Sequence, residues 1–171
     1  ARGGNIIGGG DWSEDRIVPD FYRAAMSRRP LKIRYPDAIR PWQHVLSACH
    51  GYIAIAARLL SHEAERNGSW NIGPRDAEPV TVRQLVALLS EHSPPAAVEF
   101  EPASLIEAAT LLLDTRKAKS VLGFETPWST REVVRQTADW YRRYYEDERS
   151  ALAVSIAQLR GYRSAIGDAW T

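Results

Sequence analysis

Five glycines stand within the first ten residues, and they constrain the chain more than any other feature. Gly3-Gly4 and Gly8-Gly9-Gly10 flank Asn5-Ile6-Ile7. This pattern predicts a strand end running into a tight turn where bulky side chains would clash. The triple glycine superficially resembles a phosphate-cradling loop, but it lacks the Lys-Ser/Thr of a P-loop. Neither G-x-G-x-x-G nor G-x-x-G-x-x-G can be written through it.

Beyond the turn, short extended runs alternate with helical periodicity. Asp15 is the expected N-cap of a helix reaching about Arg28, with Pro19 in or near its first turn. Leu31–Arg34 reads as a short strand and Pro41–Val45 as extended. Val45, Cys49, Tyr52, Ile53, Ala56 and Leu60 recur at helical spacing, which predicts a helix to about Ser61 that buries this face, Cys49 included. Ser69–Gly73 reads as a strand and Val98–Phe100 as another. Thr81-x-x-Gln84 opens a helix to about Glu91. Thr115–Leu122 is a short helix closed by Gly123. Ser129-x-x-Glu132 opens the longest amphipathic helix, with Val133, Thr137, Trp140, Tyr141 and Tyr144 on one face. A last helix runs from Ser150 to about Tyr162. Strands alternating with helices place the chain in the α/β or α+β class. The strands are so few and short that the sheet reads as part of something larger.

Composition removes several function classes. A length of 171 residues is one domain. No apolar run approaches the roughly 20 residues of a spanning helix, so no membrane partner is expected. The polar start Ala1-Arg-Gly-Gly-Asn5 is unlike a signal peptide. A net charge of +1 argues against a generally cationic nucleic-acid binder. Cys49 is the only cysteine, which excludes an intramolecular disulfide framework and a cysteine-rich zinc site and fits a cytoplasmic setting. Charge is uneven, however: residues 1–44 carry a net +3 and the remainder −2. A basic first quarter fits either an anionic ligand or a solvated surface.

Catalytic constellations are not visible. His44, His50, His62 and His92 show no metal-site pairing with a glutamate, and no G-x-S-x-G elbow occurs. Binding residues are more apparent. Asn5, Arg16, Arg34, Arg40 and Asn71 fall at strand ends. Arginine gives planar, permanently charged donors suited to phosphate, and an asparagine amide adds a donor and an acceptor. Together they suit a diphosphate carrying a base on one side and a sugar on the other.

Several blocks resemble a known family. They are Gly4-Asn-Ile-Ile-Gly-Gly-Gly-Asp-Trp12, Glu14-Asp-Arg-Ile-Val-Pro-Asp20, Ile33-Arg-Tyr-Pro-Asp-Ala-Ile-Arg-Pro-Trp-Gln-His-Val45, Trp70-Asn-Ile-Gly-Pro74 and Leu113-Asp-Thr-Arg-Lys-Ala118. Nearly the whole chain resembles the C-terminal half of the CDP-glucose 4,6-dehydratases, which are extended short-chain dehydrogenases/reductases. The resemblance implies an α/β fold: the C-terminal, substrate-binding part of an extended Rossmann-type fold, with residues 1–171 as one region. In that family an N-terminal Rossmann domain holds NAD. The sugar is oxidised at C4, loses water across C5 and C6, and takes the hydride back at C6.

Carried over by position, the resemblance implies that Asn5 and Arg40 contact the diphosphate and that Asn71 lies beside it. Arg16 and Arg34 would frame the phosphate and nucleotide region, and Pro19 and Ile33 would help wall the base. Where the family reads His-Glu-Ala, this chain has Ile106-Glu107-Ala108, which keeps Glu107 at the pocket edge but replaces the histidine. The resemblance implies that the glycine-rich NAD loop and the Tyr-x-x-x-Lys pair lie before Ala1; no tyrosine here has a lysine four residues on. The implied ligand is a nucleotide diphosphosugar, CDP-glucose foremost. No catalytic, cofactor-binding or metal-binding residue is expected in the chain, which by itself would be inactive. The parent enzyme would be an NAD-dependent homodimer. Two alternatives stand beside this reading: another nucleotide-sugar epimerase or dehydratase of the same superfamily, and a non-catalytic binding module.

Overall fold

A computed structural model describes residues 1–61, 68–75, 79–101 and 108–167. In chain order the elements are β1 (Arg2–Gly3), β2 (Asn5–Ile7), α1 (Ile17–Ser27), β3 (Leu31–Ile33), β4 (Ile39–Arg40), β5 (Trp42–His44), α2 (Val45–Leu60), β6 (Asn71–Ile72), β7 (Val80–Thr81), α3 (Val82–Ser90), β8 (Val98–Phe100), α4 (Arg116–Leu122), α5 (Thr130–Glu146) and α6 (Ala151–Ile166). A short 3-10 turn, Glu148–Ser150, joins α5 to α6.

The extended stretch Arg2–Ile7 is shared between two partners. Gly4 N–H donates to the Ile72 carbonyl at 3.0 Å, and Asn5 N–H donates to the Pro41 carbonyl at 2.8 Å. Successive N–H groups of a strand point to opposite edges. β6 therefore lies on one edge of β1 and β5 on the opposite edge of β2, both parallel, in the registers Arg2↔Asn71 and Asn5↔Trp42. Gly4 sits at the crossover, where a Cβ would strike the Pro41 carbonyl. Two further ribbons complete the described strands: β3 parallel to β8, and β4 antiparallel to β7. The result is the α/β arrangement of several helices around few, short strands.

The glycine turn is a packing device. A Cβ on Gly9 would fall inside the Trp140 indole, and Gly10 has φ +81. The helix carrying Trp140, α5, is the spine of the core. Val133, Val134, Trp140 and Tyr141 pack there with Phe21, Tyr22, Leu85 and Leu89. The Tyr22 and Tyr141 rings stack with centroids 4.1 Å apart. Tyr144, expected on the same face, is half-buried. A smaller cluster joins Ile55, Trp70, Ile72, Ala118 and Phe124.

Several helix ends match their sequence signals. Thr81 and Gln84 form both halves of a capping box on α3. Gly123, with φ 63, closes α4. Ser129 Oγ accepts the Glu132 N–H, but the Glu132 carboxylate turns to Arg135 and Gln136. Only half of that expected box is therefore built.

Two expectations are corrected. Asp15 does not cap α1. It has φ 59, the N-cap position is Arg16 without a side-chain bond, and the Asp15 carboxylate faces Arg34 instead. Pro19 does lie in the first turn. The second correction concerns α2, whose expected buried face, Val45-Cys49-Tyr52-Ile53-Ala56-Leu60, is exposed. The buried face is Ser47, Ala48, His50, Gly51 and Ile55. Gly51 explains the choice: a Cβ there would lie 2.6 Å from Ile72 Cγ2, so its absence lets the helix backbone close onto β6. On a helix apolar nearly all round, small residues select the packed face, and periodicity alone does not.

Candidate functional site

The turn after β2, the start of α1 and the β4–β5 segment enclose a cleft of about 460 Å³. Four expected binding residues line it: Asn5, Arg16, Pro19 and Arg40. They arrive on three local devices. Asn5 opens β2, whereas Arg16, expected at a strand end, instead holds the N-cap position of α1, with its carbonyl accepting the Asp20 N–H at 3.0 Å. Pro19 is buried in the first helical turn. Arg40 ends β4 and is only 7% exposed, with Nη1 donating to the Ile39 carbonyl at 2.7 Å.

Two acids, Asp11 and Asp15, also line the cleft, and sequence reasoning missed both. Arg16 Nη1 lies 3.6 Å from Asp11 Oδ2. Asp11 is itself anchored from the core, since the Tyr141 hydroxyl donates to its carbonyl at 2.5 Å. The only signal for Asp11 was its place in the Gly8-Gly9-Gly10-Asp11-Trp12 block, and acids run against the charge logic of an anion site.

The other expected residues separate. Arg34 lines a neighbouring cleft of about 420 Å³. It is tied to the first cleft through Asp15, which borders both and pairs with Arg34 at 3.2 Å. Ile33 is buried in the core cluster with Leu31 and Phe21. Asn71 lies on β6, does not line the cleft, and donates to the Asp114 carbonyl at 2.9 Å. Glu107 and Ile106 lie outside the described residues, as does His62.

Chemically the cleft is equipped to recognise. It offers a buried guanidinium, a second guanidinium at the rim, an amide and an apolar wall. Burial pushes the Tyr22 and Tyr141 hydroxyls above the ordinary phenol range, so neither is disposed to lose its proton. Among the described residues no three His, Cys, Asp or Glu side chains stand close enough to hold a metal ion. No described helix is long and apolar enough to cross a membrane. The glycine turn does not fit a dinucleotide pyrophosphate, because the Trp140 indole occupies the space beside Gly9 and Val45 the space beside Gly8.

Solved structures place the fold in a class. A UDP-glucose 4-epimerase from Stenotrophomonas maltophila, solved with NAD and formylated UDP-arabinopyranose, superposes with a TM-score of 0.72 at 16% identity, over 85% of this chain and 47% of that one. MoeE5, solved with UDP-glucose and NAD, superposes at 0.70 with 24% identity, over 84% and 46%. The chain thus has the fold of part of the Rossmann-type, NAD-dependent nucleotide-sugar epimerases and dehydratases. Within that class its sequence is 37% identical to CDP-glucose 4,6-dehydratase of Salmonella typhimurium over 172 residues, covering 96% of this chain and 46% of the relative. The chain is homologous to a portion of that enzyme and spans a little under half its length. No protein-family model matches the chain.

Proposed function

We propose that this chain is the C-terminal, nucleotide-diphosphosugar-binding portion of a CDP-glucose 4,6-dehydratase-like enzyme of deoxysugar biosynthesis. Asn5 from β2, Arg16 and Pro19 from the start of α1, and Arg40 from β4 meet around one cleft. That convergence, in a chain homologous to CDP-glucose 4,6-dehydratase, supports the reading. Arg40, held in place by burial, would take the diphosphate with its planar donors. Arg16 would swing from Asp11 to the second phosphate, the Asn5 amide would hydrogen-bond between them, and Pro19 would supply the apolar wall. The chain's own contribution is orientation: nucleotide binding energy fixes the sugar for chemistry performed elsewhere. NAD supplies the hydride chemistry of this enzyme class. It would be held by the part of the enzyme this chain does not span, in a cytoplasmic homodimer, and the chain alone would not turn over substrate.

Calorimetric titration with CDP-glucose, UDP-glucose and NAD tests the proposal. The expected result is selective binding of CDP-glucose, lost in Arg40→Ala, with no heat from NAD. Preference for UDP-glucose would move the chain to another nucleotide-sugar enzyme. No binding to either sugar nucleotide would overturn the assignment of the binding site to this chain.

A further inference from the structure

The loop between the glycine turn and α1 is held in place by side chains from two helices. Three successive carbonyls, those of Asp11, Trp12 and Ser13, each accept a hydrogen bond from a side chain outside the loop. The Tyr141 hydroxyl of α5 takes the Asp11 carbonyl at 2.5 Å. The Arg23 guanidinium of α1 takes the other two. Its Nη1 donates to the Trp12 carbonyl at 3.0 Å and its Nη2 to the Ser13 carbonyl at 2.9 Å. Nη2 also donates to Asp20 Oδ1 at 2.5 Å, so a carboxylate one turn earlier on α1 aims the fork. The Trp12 ring rests against Tyr144 and Tyr141 of α5, with centroids 5.0 and 5.3 Å away.

What the loop carries gives these tethers a meaning beyond packing. Asp11, Asp15 and Arg16 all line the cleft. Arg23 does not line it and belongs to the wall of the neighbouring cleft. Asp15 has the left-handed φ of 59, which costs free energy unless the surroundings hold it. Arg16 is largely exposed and pairs with Asp11 across the loop. Burial fixes Arg40, but what Arg16 reaches depends on where the loop backbone sits.

Ordering a single loop residue at the moment of binding costs about a factor of ten in affinity. A loop already held in its bound shape avoids that loss. The residue type at position 23 matters for the same reason. Lysine keeps the charge and the pairing with Asp20, but its compact ammonium lacks the planar fork that spans two successive carbonyls.

We propose that Arg23 is a positioning residue of the nucleotide-sugar site: its fork, with Tyr141 as the second tether, holds the loop so that Arg16 faces the diphosphate. This rests on the function proposed above.

The test is calorimetric titration of CDP-glucose into the unaltered chain, Arg23→Lys, Arg16→Ala and the double variant. Arg23→Lys is expected to weaken binding about tenfold although the charge is kept. Amide hydrogen exchange, followed by peptide mass, should quicken across residues 11–16 and stay unchanged in α3. In the Arg23→Lys chain, Arg16→Ala should cost much less than in the unaltered chain, because the guanidinium it removes is no longer held in place. Additive losses would overturn the proposal and give Arg23 a direct contact with the ligand. Equal binding by Arg23→Lys and the unaltered chain would also overturn it. Tyr141→Phe removes the second tether and keeps the ring stacked on Tyr22. It should weaken binding in the same direction, and the same cycle run with it decides the question should Arg23→Lys fold poorly. If the unaltered chain binds no sugar nucleotide, the functional reading fails and this proposal with it. If it binds and the cycle is additive, this proposal alone fails.

Discussion

His44 caps α2 from inside the core: its Nδ1 accepts the Leu46 backbone N–H at 3.3 Å. The ring is 1% exposed and lies edge-on to Trp128, with centroids 4.9 Å apart. Burial holds its pKa down at about 4, against a smaller upward pull from Glu132. An unfolded histidine titrates near 6.5. Between those values the unfolded chain binds more protons than the folded one, so stability falls as the pH drops from about 6.5 to about 4. The full loss from this one group is about 3 kcal/mol. Urea denaturation across that range should show the fall. His44→Asn, which keeps a capping acceptor, should flatten it, leaving a smaller slope from His50, also held down by burial.

Gly9 meets the Trp140 indole so closely that a methyl group has no room. Gly9→Ala is expected to destabilise the fold by about 1–3 kcal/mol through overpacking. In a Trp140→Leu background the same substitution should cost clearly less, because neighbouring sites couple. Four denaturation curves complete the cycle, and simple additivity would show that the contact is not the cause.

Asp11 places a carboxylate in the cleft beside Arg16. Asp11→Asn removes the charge while keeping an oxygen for the Ser13 N–H, 3.0 Å away. CDP-glucose should bind about threefold more tightly to this variant, as expected for removing one half-buried like charge from an anion site. The gain should shrink at high salt. Weaker binding in titration calorimetry would show that Asp11 positions Arg16 more than it repels phosphate.

Thr81 and Gln84 close a reciprocal cap, with bonds of 3.1 and 2.8 Å. Thr81→Ala should cost about 1 kcal/mol and Thr81→Ser much less. Ser129→Ala, which removes only the single bond to Glu132, should cost less than Thr81→Ala in the same denaturation assay.

Local chemistry made much of this legible. The Thr81-x-x-Gln84 pattern, the Gly123 stop and the 3.6-residue spacing of Val133, Thr137, Trp140 and Tyr141 all act within one or two helical turns, and each recurs in the structure. The motif blocks carried the resemblance to CDP-glucose 4,6-dehydratase that the 37% identity shows. Asp15 misled because capping residues and turn residues share one chemistry: the same short carboxylate that could accept helix N–H groups also tolerates φ 59 and pairs with Arg34.

By itself the sequence determined the helices, the caps at Thr81, Gly123 and Ser129 and the kind of residues available for binding a phosphate, since those depend on neighbours along the chain. Tertiary structure alone decided which face of α2 is buried, because that choice turns on Gly51 closing onto Ile72 from a distant strand. It likewise brought Asn5, Arg16, Pro19 and Arg40 around one cleft, sent Ile33 into the core and left Asn71 against Asp114. Residue type sets what a side chain can bind, whereas the parallel pairing of β1–β2 with β5 and β6 sets what it reaches.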